Sequence, residues 1–193
     1  MNINDKNNYF KKFEFSNFSH YKLVKFIGFG LFGAVFESID IDNKKIYVIK
    51  MILKKDIDNK KDFLKEYNIM KNLKSSNIIQ YHENFEEKEY YFIVMELCDL
   101  NFFDYLNKKN YNFLIQINNG LKLMFDNNIM HRYIKPENIL IKYDAKNNPI
   151  IKLSDFGLSK ILISGSENTS TNDVKQLIKK PNIQKKQIYI VLD

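Results

Sequence analysis

Gly28, Gly30 and Gly33 fall in the spacing G-x-G-x-x-G, where a backbone without side chains can pass close to a ligand and offer its N–H groups to phosphate oxygens. Lys50 ends the apolar run YVIK and Glu66 follows in a helical pattern, so an ion pair between them would hold an ammonium toward the same oxygens. Farther along, Asn138 precedes ILI and Asp155 opens D-F-G. An amide oxygen and a carboxylate are hard donors suited to Mg2+. Each signal alone has a plainer reading: a glycine hairpin with no ligand, two surface charges, a chance tripeptide. A dinucleotide-binding turn shares the glycine spacing, but there the glycines open a helix, whereas AVFESI after Gly33 reads as a strand. It is the order of all these signals along one chain that the plainer readings leave unexplained.

Such residues need elements to carry them. From Tyr21 to Ile52 the pattern predicts a three-stranded meander, YKLVKFIGFG, AVFESID and IYVIKMI, with a turn at IDNKK. Lys60 to Leu73 predicts a helix with Phe63, Leu64, Tyr67, Met70 and Leu73 on one face and charges opposite. NIIQYHENF and YYFIVMEL read as a strand pair around Glu86, Glu87 and Lys88, which makes five strands and one helix in the first half. Phe113 to Phe125, with Leu114, Ile117, Leu121 and Met124 in register, predicts the main helix of the second half, beside short strands NILIKY and IIKLS. After Lys160 the apolar periodicity gives way to SGSENTSTND, a loop composition, and then to a basic stretch. The expected class is α+β.

Composition narrows the partners. The 193 residues are 45% hydrophobic and 15% aromatic, enough for a packed core. The net charge of +7 invites a nucleic-acid reading, but Lys44-Lys45, Lys54-Lys55, Lys60-Lys61 and Lys179-Lys180 are scattered among acids and asparagines, so no nucleic-acid partner is expected. Cys98 is a lone cysteine without a metal-binding spacing, which points to a reducing compartment, cytoplasmic or nuclear. The start lacks the order of a signal peptide, and the most apolar stretch, Tyr90 to Leu97, is too short to span a bilayer and contains Glu96, so no membrane role is expected.

From Phe18 to Lys160 the chain resembles a eukaryotic protein kinase: G-x-G-x-x-G, a strand lysine, a helix glutamate, H-R-x-x-K-P-E-N and D-F-G occur in that family's order. The resemblance implies a protein kinase-like fold, a five-stranded antiparallel N-lobe with one helix and a partial, mainly helical C-lobe. The implied boundaries are a polar leader at 1–15, an N-lobe at about 16–97, a partial C-lobe at about 98–160, and an activation-segment-like loop with a basic tail at 161–193. It implies ATP and Mg2+ as cofactors. Gly28, Gly30 and Gly33 would cover the phosphates, Lys50 would contact them while paired with Glu66, and Asn138 and Asp155 would hold Mg2+. Ile27, Val35, Val48, Met95, Glu96, Cys98 and Leu140 would line the adenine side, with Met95 to Cys98 as the hinge segment. IKPEN is similar to the serine/threonine branch, where Lys135 faces the γ-phosphate. Arg132 would meet a phosphate on Ser164, Ser166, Thr169, Ser170 or Thr171, and Met70, Tyr81, His131 and Phe156 match the apolar stack of an active kinase.

Three departures bear on activity. The position of the catalytic aspartate holds Tyr133, a phenol titrating near 10 in ordinary surroundings and therefore a proton donor at neutral pH, not an acceptor. A positioned base contributes on the order of 10²–10⁴ in rate. Val48 replaces the usual alanine two residues before the strand lysine, a mild narrowing of an apolar slot. No A-P-E follows D-F-G, so the resemblance implies a truncated large lobe, with Leu114, Ile117, Leu121 and Met124 left partly uncovered. By family the reaction is ATP-dependent phosphorylation of protein Ser/Thr; by residue chemistry this copy is expected to be an ATP-binding pseudokinase, inactive or very weak. Two alternatives stay open: a regulatory module that docks on another kinase or scaffold without nucleotide, and a fragment of an active kinase gene.

Overall fold

Strict alternation of buried and half-buried positions along β3 (Ala34–Asp40) shows how the first sheet forms, with Ala34, Phe36, Ser38 and Asp40 turned inward and their neighbours outward. The computed structural model describes residues 3–30, 33–57, 60–105 and 113–162. The chain divides into two units, Met1–Lys74 with Ile79–Leu97, and Ser75–Ile78 with Cys98–Asp193.

In the first unit β1 (Asn17–Phe18), β2 (Tyr21–Phe29), β3, β4 (Ile46–Leu53), β5 (Tyr81–Glu87) and β6 (Tyr90–Glu96) form one antiparallel sheet in the order β1-β2-β3-β4-β6-β5. β6 is buried from Tyr90 to Met95, which is why its sequence is an unbroken apolar run. The sheet therefore has six strands where five were expected, because the two residues of β1 are too few to show a period. The polar leader is corrected as well. It contains α1 (Ile3–Lys11), whose Phe10 belongs to the same apolar core as Phe18, Leu23, Phe36, Met51 and Phe92. The helix predicted from Lys60 is α2 (Lys60–Asn72), anchored by Phe63 stacking on Tyr91 at 4.4 Å and by Tyr67 against Tyr81 at 5.8 Å. Its inward face includes Glu66, a charge accounted for by its ion pair with Lys50.

The second unit contains β7 (Leu100–Asn101), α3 (Phe102–Tyr105), α4 (Phe113–Asp126), β8 (Ile129–Met130), β9 (Ile139–Tyr143), β10 (Pro149–Leu153) and β11 (Lys160–Ile161). The strands make a three-stranded sheet, β10-β9-β7, and a two-stranded one, β11-β8. Among the described residues its α-helices are α4 with 14 residues and α3 with 4. α4 packs closely on β10: a Cβ at Gly120 would come within 2.9 Å of the Leu153 side chain and 3.0 Å of the Asn77 carbonyl. Asn77 ties the layers together, donating to the Ile151 carbonyl at 2.9 Å and to the Gln116 amide oxygen at 3.2 Å. The uncovered face expected on this helix is corrected in part, because Ile117 and Met124 are buried at 0% and 1% exposure; Leu114 at 47% and Phe125 at 75% are open to solvent. No described helix is long and apolar enough to cross a membrane.

Candidate functional site

The expected site residues fall in both units, and each set has its own geometry. In the first unit the β2–β3 hairpin carries the glycines. It closes through the Gly30 N–H, which donates to the Gly33 carbonyl at 2.9 Å. Only glycine fits at position 33, since a Cβ there would lie 2.3 Å from the Met51 carbonyl oxygen. A Cβ at Gly30 would lie 3.4 Å from Cε and 3.7 Å from Nζ of Lys50, so the lysine runs directly along this hairpin. Lys50 on β4 sits opposite Val35 on β3, and its Nζ meets Glu66 Oε1 of α2 at 2.7 Å. Both members of this pair are only 3% exposed. Two charges removed from water to that extent hold each other in place, because either alone would be costly.

Val48 is half-buried opposite Met95, which is itself 9% exposed and flanked by Tyr81 on the other side. Glu96 is tied to Gln80 twice, donating its N–H to the Gln80 carbonyl at 3.0 Å and accepting the Gln80 N–H on its carboxylate at 2.8 Å. That locks the end of β6. Ile27 falls at the β2 bulge between Phe26 and Gly28 and is 51% exposed. Met70, predicted in the apolar stack, is buried, and Tyr81 donates its hydroxyl to Asn84 Oδ1.

In the second unit the segment from His131 to Asn138 is held mostly by backbone groups. His131 is 4% exposed, its Nε2 lies 3.0 Å from the Ser154 carbonyl, and its ring meets Phe156 at 5.0 Å. Burial pushes its imidazole down to about 4, despite the Ser154 carbonyl and the Asp155 carboxylate, which favour the charged form. The Tyr133 N–H donates to His131 Nδ1 at 3.3 Å, and Asn138 Nδ2 donates to the Tyr133 carbonyl at 2.9 Å. With its nitrogen engaged in this way, Asn138 presents an amide oxygen as its remaining donor atom for a cation. Ser154 returns both its N–H, at 3.0 Å, and its hydroxyl, at 2.9 Å, to the Asn138 carbonyl.

The Tyr133 side chain is half-buried, and Lys135 Nζ lies 4.8 Å from the centre of its ring, a cation–π contact. The lysine expected to face a phosphate thus has an aromatic neighbour at the position of the base. Arg132 is exposed, adopts a left-handed backbone (φ 63°) and donates Nε to the Leu158 carbonyl at 2.6 Å. Asp155 is also left-handed, φ 63° and ψ 68°. Such conformations in non-glycine residues cost on the order of 1–3 kcal/mol and concentrate at functional sites. Leu140 is half-buried on β9 between Lys152 and Asn101, and Cys98 is half-buried at the start of the unit. Ser164, Ser166, Thr169, Ser170 and Thr171, and the basic tail, lie outside the described residues.

A protein kinase domain model matches residues 21–180. The chain belongs to the protein kinase domain family. Calcium-dependent protein kinase 4 of Plasmodium falciparum (isolate 3D7) is 37% identical over 150 residues, covering 72% of this chain and 28% of that kinase. A probable myosin light chain kinase of Dictyostelium discoideum is 36% identical over 151 residues, 73% of this chain and 38% of its own. A human serine/threonine-protein kinase is 33% identical over 165 residues, 78% of this chain and 23% of its own. The chain spans less than half the length of the curated relatives it matches. Within this kinase domain, sequence reasoning missed the two serines that tie D-F-G to the segment from His131 to Asn138: Ser154, bonded to the Asn138 carbonyl, and Ser159, which donates its hydroxyl to the His131 carbonyl at 3.2 Å. Their position on either side of D-F-G was the available signal.

Proposed function

We propose that this protein kinase domain binds Mg2+-ATP and has lost efficient phosphoryl transfer to protein Ser/Thr, acting as a pseudokinase. One observation carries the reading: the catalytic segment keeps its backbone framework around residue 133, while the side chain there is a phenol lying beside Lys135 in place of a carboxylate. Without a carboxylate, no group at that position accepts the proton of a substrate hydroxyl. The remaining residues fit the nucleotide. Lys50 is held along the glycine hairpin by a buried counter-ion, so its ammonium is oriented before any phosphate arrives. Gly28 and Gly30 leave the hairpin backbone without side chains, and Asn138 and Asp155 supply the amide oxygen and carboxylate that suit Mg2+. When bound, the metal would neutralise phosphate charge; the chain's own part is to orient and to hold.

The test has two arms. Mg2+-ATP is expected to raise the thermal midpoint of the purified chain, the equivalent of about 2.7 kcal/mol at a hundred times its Kd. No shift at millimolar ATP in a folded sample rejects the binding half. Labelled ATP with a mixture of Ser/Thr peptides is expected to give no transfer above background. Turnover by the unmodified chain that disappears in Asp155→Ala rejects the inactive half.

A further inference from the structure

Phe29 stands between Gly28 and Gly30, so whatever holds its ring holds the glycine hairpin. Among the described residues the ring has two aromatic partners. Phe26 meets it from the same strand at 5.3 Å and 68°; the other is Phe10 of α1, at 5.5 Å and 78°. Phe10 is 6% exposed, and its helix and the turn after it are moored to β6, the Tyr9 hydroxyl bonding that of Tyr90 at 2.8 Å and the Phe13 ring meeting Tyr90 at 5.5 Å.

The chain leaving α1 then follows the edge of β2. Phe15 donates its N–H to the Leu23 carbonyl at 2.7 Å, and Leu23 donates to the Ser16 carbonyl at 2.9 Å. Glu14 accepts the Phe26 N–H on its carboxylate at 2.8 Å, beside the point where the β2–β3 register slips between Phe26 and Gly28. β1 pairs only with Tyr21 and Lys22, so this contact sequence is what supports β2 on that edge from Leu23 to Phe29. Glycines give a hairpin many conformations of similar energy, and a ligand must pay to select one of them. An external brace removes that cost in advance.

We propose that residues 9–16 are a brace for the glycine hairpin, with Phe10 and Glu14 as positioning residues that set where its N–H groups stand and so set nucleotide affinity. The claim about affinity rests on the nucleotide-binding reading above; the claim about hairpin order does not.

Hydrogen exchange of the full chain without nucleotide, read at Phe29 and Gly30 with Val94 as a core reference, separates the two. Phe10→Ala is expected to speed exchange at Phe29 and Gly30 and to weaken binding of a fluorescent ATP analogue, each roughly tenfold, as the loss of one aromatic edge contact implies. Phe10→Leu should recover part of both. Phe85→Ala removes a ring of the same apolar core that lies outside the brace and stacks on Phe92 at 4.6 Å and Tyr21 at 5.9 Å, so it should lower the thermal midpoint comparably while leaving hairpin exchange and affinity unchanged. Glu14→Gln, a substitution at a half-exposed position, should act as Phe10→Ala does but less strongly. Equal exchange at Gly30 in Phe10→Ala and Phe85→Ala overturns the proposal, as does an equal rise at Val94. If Phe10→Ala does not fold, Glu14→Gln decides: unchanged exchange at Phe29 and Gly30 overturns it. A wild-type chain that binds no nucleotide sinks the binding reading, and the exchange comparison still settles the brace.

Discussion

Lys50 and Glu66 in the first unit are each 3% exposed and neutralise one another, whereas Tyr133 in the second unit is half-buried and its side chain makes one cation–π contact. Both regions carry residues that the kinase family uses for chemistry, yet they depend on those residues in different ways. In the first unit the two charges are structural, because an ammonium and a carboxylate inside the protein each require the other. In the second, the framework is written in backbone bonds. The Tyr133 N–H and carbonyl, the Asn138 carbonyl and the Ser154 N–H fix the segment without consulting the side chain at 133. A fold arranged in this way can exchange the side chain at 133 at little cost to stability and cannot lose Lys50 so cheaply.

The largest effect that would test the contrast is at the buried pair. Lys50→Met removes the buried counter-charge of Glu66, which should cost about 3–5 kcal/mol in urea unfolding and remove any Mg2+-ATP shift. The double variant Lys50→Met with Glu66→Leu should recover most of that stability without recovering the shift. A single variant costing less than about 1 kcal/mol would mean that the pair is hydrated in solution, and the contrast with Tyr133 would collapse.

The next effect lies in the second unit and depends on pH. His131 titrates at about 4 in the folded chain because it is buried, against 6.5 for an ordinary histidine. Since the folded value is the lower one, the unfolded chain takes up the proton first as the pH falls. Stability is therefore fully present above about 6.5 and is lost through the window down to about 4, by about 3 kcal/mol in all. The His131→Gln variant should lack this component, so the difference in unfolding free energy between it and the native chain should shrink steadily on acidification. A difference independent of pH would show that the imidazole titrates in the folded chain as it does in the unfolded one, and that the segment is more open than its bond to Ser154 indicates.

The contrast also governs what could be seen in advance. The elements carrying strong periods were legible: the hairpin strands around the glycines, α2 and α4 all fall within a residue or two of the predicted bounds. β1 escaped because two residues have no period, and α1 because its asparagines and lysines hide Tyr9 and Phe10, which become informative only against Tyr90 and Phe29. Glu66 illustrates the same limit from the other side. Its helical position groups it with inward residues, yet charge argues for the outer face, and only the partner lysine from a different strand resolves the conflict. The order of the motifs made the family legible. It was silent on the backbone bonds of the catalytic segment, because N–H and carbonyl groups are common to every residue.

The smallest expected effect bears most directly on the catalytic segment. Tyr133→Asp replaces the phenol with the family's carboxylate. If side chain and framework are separable, the variant should keep the donation from Asn138 to the carbonyl of residue 133 and the contact of its N–H with His131, since neither uses a side-chain atom of that residue. What it loses is the Lys135 contact with the ring, 4.8 Å from its centre. Contacts of this type at partly exposed positions are worth about 0.5–1 kcal/mol, and a carboxylate near the same ammonium would return some of that by charge attraction. The net change in urea unfolding should therefore stay within about 1 kcal/mol of zero, and the side-chain amide protons of Asn138 should keep their slow exchange by NMR. Tyr133→Phe isolates the hydroxyl and should be smaller still. If Tyr133→Asp instead costs several kcal/mol, or frees the Asn138 amide, then the phenol has become part of the framework. The second unit would then resemble the first, with a residue at the catalytic position that the fold can no longer exchange.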